Sequence, residues 1–289
     1  MINQVDIFIK YALRSLGLQP QPGSPIPSPS DSLQTRPLPK RGPAQPAISG
    51  NCEVYERQAS SLLMSRLPLE LRNMIWERVL GGNYIHMYWR DRDTLLGFIC
   101  EEQKQCISLA HSSESNVPWD SAVTIKDEDI DQGKGWMGLL LSCRAVYFEA
   151  SKILYSTNTF DFTDHWLNLN YLPWLLPISA LTTITQITMT CHGVQLPSAY
   201  LDFQLWKRTW ETLFLCKALR YLHVELVPVA AHTTLATKTL MAAAEDEYLE
   251  PLRAVCGMGI KVFELVLPFE EKEDGRVRGE LVGCKIIRV

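Results

Sequence analysis

Apolar positions change period several times along this chain, and each change marks an element. In SRLPLELRNMIWERVLGG, residues 65–82, Leu71, Ile75 and Val79 recur at i, i+4 and i+8, which predicts an amphipathic helix. Pro68 suits its first position, where a missing N–H costs nothing, Glu70 complements the helix dipole, and Gly81-Gly82 stops it. NYIHMYW and TLLGFIC, joined by Arg90-Asp91-Arg92-Asp93, read as two strands of a hairpin. Residues 101–135 turn polar and acidic and read as a surface insertion. From 135 to 158, Leu139, Cys143, Val146, Ala150 and Ile153 fall on one stripe of a single helix, which Leu140, Leu141, Tyr147 and Leu154 widen. Thr159–Phe162 leaves it as extended chain.

The C-terminal part alternates. ITQITM, YLHVEL and KVFELVL begin at residues 184, 221 and 261 and have strand character, while helical patterns occupy Trp206–Leu219 and Leu235–Cys256 between them. Strands separated by helices predict parallel pairing with right-handed crossovers, a short βα repeat. So few units cannot stand alone and must pack on the upstream helices. The tail GRVRGELVGCKIIRV is expected to close the sheet as an edge hairpin. The predicted class is α/β, with α+β as the alternative: two helices with an inserted hairpin, packed on a short βα repeat sheet.

Composition sets the domain limits. Residues 1–19 form a short amphipathic arm, with Asp6, Lys10 and Arg14 interrupting its apolar run. Residues 20–50 form a Pro-rich linker holding nine of the 17 prolines, too poor in large apolar residues to offset its ordering entropy. Residues 53–289 are expected to fold as one domain. Across the 289 residues, 46% hydrophobic and 21% charged is globular composition, and a net charge of -4 provides no basic field for nucleic acid or an anionic membrane. Neither nucleic acid nor membrane is an expected partner, and no run reaches the length of a membrane span. The eight cysteines are scattered rather than framed in pairs, which implies free thiols in an intracellular compartment, cytoplasmic or nuclear.

Candidate chemistry is sparse. Asp127, Asp129 and Asp131 alternate like a calcium loop, but Gly133 falls one place late and Gly138 stands where a bidentate Glu is needed. Cys100, Cys106 and His111 lack a CxxC pair and a fourth ligand for zinc. Cys191 and His192, adjacent on an extended segment, point to opposite faces. GKGWMG at 133–138 lacks the strand and the GK[ST] ending of a phosphate loop, and GxSxG and HExxH do not occur. Trp206, Trp210 and Leu213 have helical spacing, which favours core packing over a ligand cage for the tryptophans, Trp166 and Trp174 included. The expectation is a protein with no catalytic residue, metal or cofactor; an enzyme of unrecognised hydrolase or transferase type is the alternative.

Two segments, LPLELRNMIWERVLGG at 67–82 and LLLSCRAVYFEASKILYSTNTFDF at 139–162, resemble the paired signature of a large family of F-box-like domains of unknown function from filamentous fungi. Leu67, Pro68, Glu70, Leu71, Ile75 and Trp76 carry it in the first segment; Cys143, Arg144, Tyr147 and Glu149 carry it in the second. The first is similar to the opening of an F-box, whose LPxEL helix and later CR-containing helix dock on the adaptor of a cullin-type ubiquitin ligase. The resemblance implies a non-enzymatic protein-interaction scaffold with a protein partner, and alternatively a substrate receptor of such a ligase. Residues 83–138 separate halves that in an F-box are nearly contiguous. With Leu71, Ile75 and Val79 expected to pack against the Cys143 helix, the adaptor is expected not to bind tightly, and Ile75→Ala to cost about 2–5 kcal/mol.

Overall fold

The computed structural model describes residues 61–91, 94–99, 134–163, 166–192, 200–227, 244–268 and 281–288. The predicted arm and Pro-rich linker, the acidic loop with Asp127, Asp129 and Asp131, and the Cys100, Cys106 and His111 set all lie outside them. The described elements are, in chain order, α1 (Leu62–Arg66), α2 (Leu69–Leu80), β1 (Tyr84–Asp91), β2 (Thr94–Ile99), α3 (Lys134–Ser142), α4 (Arg144–Thr157) and β3 (Thr159–Asp161). A 3-10 helix (Trp166–Tyr171), α5 (Leu172–Leu175), α6 (Ile178–Leu181), β4 (Gln186–His192), α7 (Tyr200–Leu215) and β5 (Tyr221–Val227) follow. The last are α8 (Glu245–Leu249), α9 (Leu252–Cys256), β6 (Val262–Leu267) and β7 (Lys285–Arg288).

The seven strands form one sheet in the order β2-β1-β3-β4-β5-β6-β7. All neighbours pair in parallel except β1 and β2, the predicted hairpin. The class is therefore α/β. β2 lies on the outer side of β1, and from β3 onward every strand lies beside the parallel strand before it, as stacked βα units require. The predicted terminal hairpin is corrected: β7 runs parallel to β6, with Glu264 opposite Lys285. Residues 268–284 between these strands are long enough for the crossover that a parallel pair requires and too long for a tight turn.

Parallel strands covered on both faces read as continuous apolar runs, but these alternate. Ile187, Met189, Leu222, Val224, Phe263 and Leu265 are buried on one face. Helices α4 and α7 cover it, with Tyr155 stacked on Phe160 and Trp210 tilted against Phe263 at 6.0 Å. Trp206 meets Trp166 and Trp210 edge-on, and its Nε1 donates to the Tyr248 carbonyl, so these tryptophans are core.

The predicted helix over 135–158 is in fact two. Cys143 interrupts it in an extended conformation, and its sulfur accepts a hydrogen bond from the Val146 N–H, capping α4. Apolar periodicity runs straight across such a break, because the cap residue has a core-like side chain.

One buried side chain terminates both signature helices. Asn158 Nδ2 donates to the Leu80 carbonyl at the end of α2 and to the Leu154 carbonyl in the last turn of α4, each at 2.7 Å. Its Oδ1 accepts from the Asn83 backbone N–H at 2.7 Å. Just before this junction a Cβ at Gly81 would come within 2.6 Å of Thr157 Oγ1, so the close approach of α2 to α4 requires glycine there.

Candidate functional site

Helix α2 is oriented by Arg72. Its guanidinium forms a two-pronged pair with Glu149 of α4, Nη2–Oε1 at 2.8 Å and Nε–Oε2 at 2.9 Å. Trp76 Nε1 donates to the same carboxylate at 3.2 Å. Arg72 Nη1 also binds the carbonyls of Met64 and Leu67, fixing the turn that leads into the helix. Forked guanidinium–carboxylate pairing is directional as well as strong, so it sets the rotation of α2 about its axis.

That rotation overturns the expected packing. The residues facing α4 are Arg72, Trp76 and Leu80, with Trp76 1% and Leu80 0% exposed. Leu71, Ile75 and Val79, expected inside, are 46%, 37% and 42% exposed, and Met74 is 64% exposed. The two stripes differ by one residue, a turn of about 100° around the axis. Hydropathy argues against Arg72 facing inward, and only a partner 77 positions away makes that orientation favourable.

The signature residues consequently divide. Trp76 and Glu149 join the two helices, Cys143 caps α4, and Tyr147 is half-buried, its phenol pushed up by that burial. Leu67 is half-buried, with its carbonyl bound by Arg72. Pro68, Glu70, Leu71, Ile75 and Arg144 are exposed; Arg144 lies over the Phe148 ring at 5.6 Å. The expectation of weak adaptor binding rested in part on Leu71, Ile75 and Val79 being buried, and that premise is withdrawn. Leu69 and Leu71, each 46% exposed, extend the apolar face towards Pro68, while Glu70, Glu77 and Arg78 are exposed beside it.

A second constellation crosses the other face of the sheet. Register places His86, Asp161, Thr188, His223, Glu264 and Lys285 in one row from β1 to β7. His86 Nδ1 pairs with the Asp161 carboxylate, while Thr188 at 2.9 Å and Thr163 at 2.6 Å donate their hydroxyls to Asp161 Oδ1. Tyr84 shares a hydrogen bond with Thr188, and its phenol is pushed up by burial and by the nearby Asp161. Burial alone raises a carboxyl pKa, but hydrogen bonds from His86, Thr163 and Thr188 outweigh it and hold Asp161 below its usual range. Farther along, Glu264 accepts from Lys285 at 3.0 Å and lies 3.4 Å from His223 Nδ1. The Lys285 contact keeps Glu264 ionised below its ordinary pKa.

Chemically, the row gives a held imidazole beside a buried carboxylate, but the two neighbouring hydroxyls bind the carboxylate. Its demonstrated effect is to join strands across a polar face. Sequence reading did not single out this row or Arg72. A signal was present in the period-2 alternation of β4 to β6, which lists the polar face residues, but their alignment requires the register. Among the described residues, no group of three or more His, Cys, Asp or Glu side chains is arranged to hold a metal, and no helix is long and apolar enough to cross a membrane.

Neither the curated proteins nor the solved structures compared with this chain match it. A family match extends from before α1 into β7, over both signature helices and the whole described sheet. Residues 56–287 match the family described as Domain of unknown function (DUF7730), and the chain belongs to that family.

Proposed function

We propose that this protein is a non-enzymatic protein-interaction scaffold of the F-box-like type, with the outer face of α2 as its docking helix. The observation that carries the reading is the exposure of Leu71, Met74, Ile75 and Val79 on a helix whose opposite side is fixed by Arg72, Trp76 and Leu80. Anchors at i, i+3, i+4 and i+8 on a held helix match the helix-in-groove mode of recognition. Presenting them on a pre-oriented element lowers the ordering cost of binding. The partner this favours has an apolar groove.

One observation favours a second, narrower reading, a substrate receptor of a cullin-type ubiquitin ligase. Pro68, Glu70, Leu71 and Ile75, which resemble the opening of an F-box, are all on the exposed side. Calorimetry with the purified adaptor tests it: the expected result is submicromolar binding that disappears in the double variant Leu71→Asp/Ile75→Asp, with circular dichroism unchanged. Absence of binding to the wild-type chain rejects the receptor reading. The broader scaffold reading falls if crosslinking and affinity purification recover the same partners from wild type and from the double variant.

A further inference from the structure

Among the described residues outside α2 and the polar row, one pair of thiols comes together. Cys256 is the last residue of α9, and Cys284 immediately precedes β7. The turn entering β7 runs against the end of that helix: Gly283, at φ 87, would place a Cβ 3.7 Å from the Cys256 carbonyl oxygen. The Cys284 N–H donates to the Leu281 carbonyl at 2.9 Å and closes the turn. The two thiols are thereby brought near enough that each shifts the ionisation of the other. Both are free thiols and half-buried, whereas Cys191 and Cys216 are fully buried and Cys143 Sγ already caps α4.

We propose that Cys256 and Cys284 form a dithiol–disulfide site, oxidised by a low-molecular-weight disulfide, that fastens β7 to the end of α9. In the first step the Cys256 sulfur, as thiolate, attacks one sulfur of the small disulfide RSSR. A mixed Cys256–S–S–R bond forms, and RS⁻ leaves and takes up the proton that Cys256 lost. The Cys284 sulfur then attacks the Cys256 sulfur, forming the internal disulfide and releasing the second RS⁻, which accepts the Cys284 proton. Two protein thiols are oxidised and one RSSR is reduced to two RSH.

The site divides the roles. The neighbouring Cys284 thiol stabilises negative charge on Cys256 and pulls its pKa below that of an ordinary thiol, which favours it as the attacking sulfur. The neighbouring Cys256 and burial push Cys284 up, which fits the resolving partner. Closure would act on an outer strand already clamped at its other end, where Arg288 forms a two-pronged pair with the buried Glu245 of α8, Nη2–Oε1 at 2.7 Å. A disulfide would add a covalent hold at the start of the strand and close a loop over residues 257–283, restricting the unfolded chain.

The experiment exposes the full chain to oxidised glutathione, blocks remaining thiols with iodoacetamide and maps non-reduced peptides by mass spectrometry. The expected result is a Cys256–Cys284 linked peptide that dithiothreitol separates. Oxidation should raise the thermal midpoint of wild type and of Cys143→Ser, and leave Cys256→Ser and Cys284→Ser unchanged. Recovery of both residues as alkylated thiols, or of Cys256 only as its glutathione adduct, overturns the proposal. A linked peptide with no rise in the midpoint overturns the fastening of β7.

Discussion

Truncating adjacent residues of α2 should separate the observed rotation of the helix from the one its hydropathy suggests. Leu80 is 0% exposed and lies beside the Asn158 junction, so Leu80→Ala removes buried carbon and leaves a cavity, at a cost of about 2–5 kcal/mol. For Ile75→Ala, three carbons at about 0.8 kcal/mol each would cost roughly 2.4 kcal/mol if fully buried. Ile75 is 37% exposed, so only about 1.5 kcal/mol of that applies, and alanine is the better helix former, which brings the cost to about 1 kcal/mol or less. At about 2–4 °C per kcal/mol for a chain of this size, Leu80→Ala should lower the thermal midpoint by about 4–20 °C and Ile75→Ala by about 4 °C at most. Differential scanning calorimetry of both variants at matched concentration measures the difference. Equal shifts, or a larger one for Ile75→Ala, would refute the inward placement of Arg72, Trp76 and Leu80.

Two further variants probe the junction and the polar row. Asn158→Ala should strand the carbonyls of Leu80 and Leu154 and cost about 2–5 kcal/mol in urea unfolding, whereas a loss below about 1 kcal/mol would mean that water replaces the amide. Because Asp161 is held below its unfolded pKa, its contribution to stability is complete above the ordinary carboxylate range and is lost as pH falls through the lower folded value. Asp161→Asn should therefore destabilise the protein near neutrality and flatten the acid side of its midpoint-versus-pH curve; an acid limb parallel to that of wild type argues against this.

Local sequence signals identified the strands and the hairpin well. The alternation in YLHVEL and KVFELVL specifies one buried face, and glycine ends α2, so backbone preference and burial agree. The failures arose where a distant polar partner, a cap or the path of a connection decides. Arg72 turns inward because Glu149 receives it, Cys143 breaks a continuous apolar stripe because its sulfur caps α4, and β7 pairs in parallel with β6 after a connection too long for a tight turn. Each depends on a contact or a backbone conformation that hydropathy does not encode. The exposed face of α2 was legible as an apolar stripe; which side of the stripe met water was not.

The strand order has a consequence for how the sheet comes apart. Here each parallel strand from β1 onward is laid against the one before it, and none is inserted between two already joined. Removing β7 would shorten the sheet by one ribbon and leave β6 as the new border, with every remaining pairing unchanged. The sheet can be unzipped in reverse order of synthesis, one register at a time.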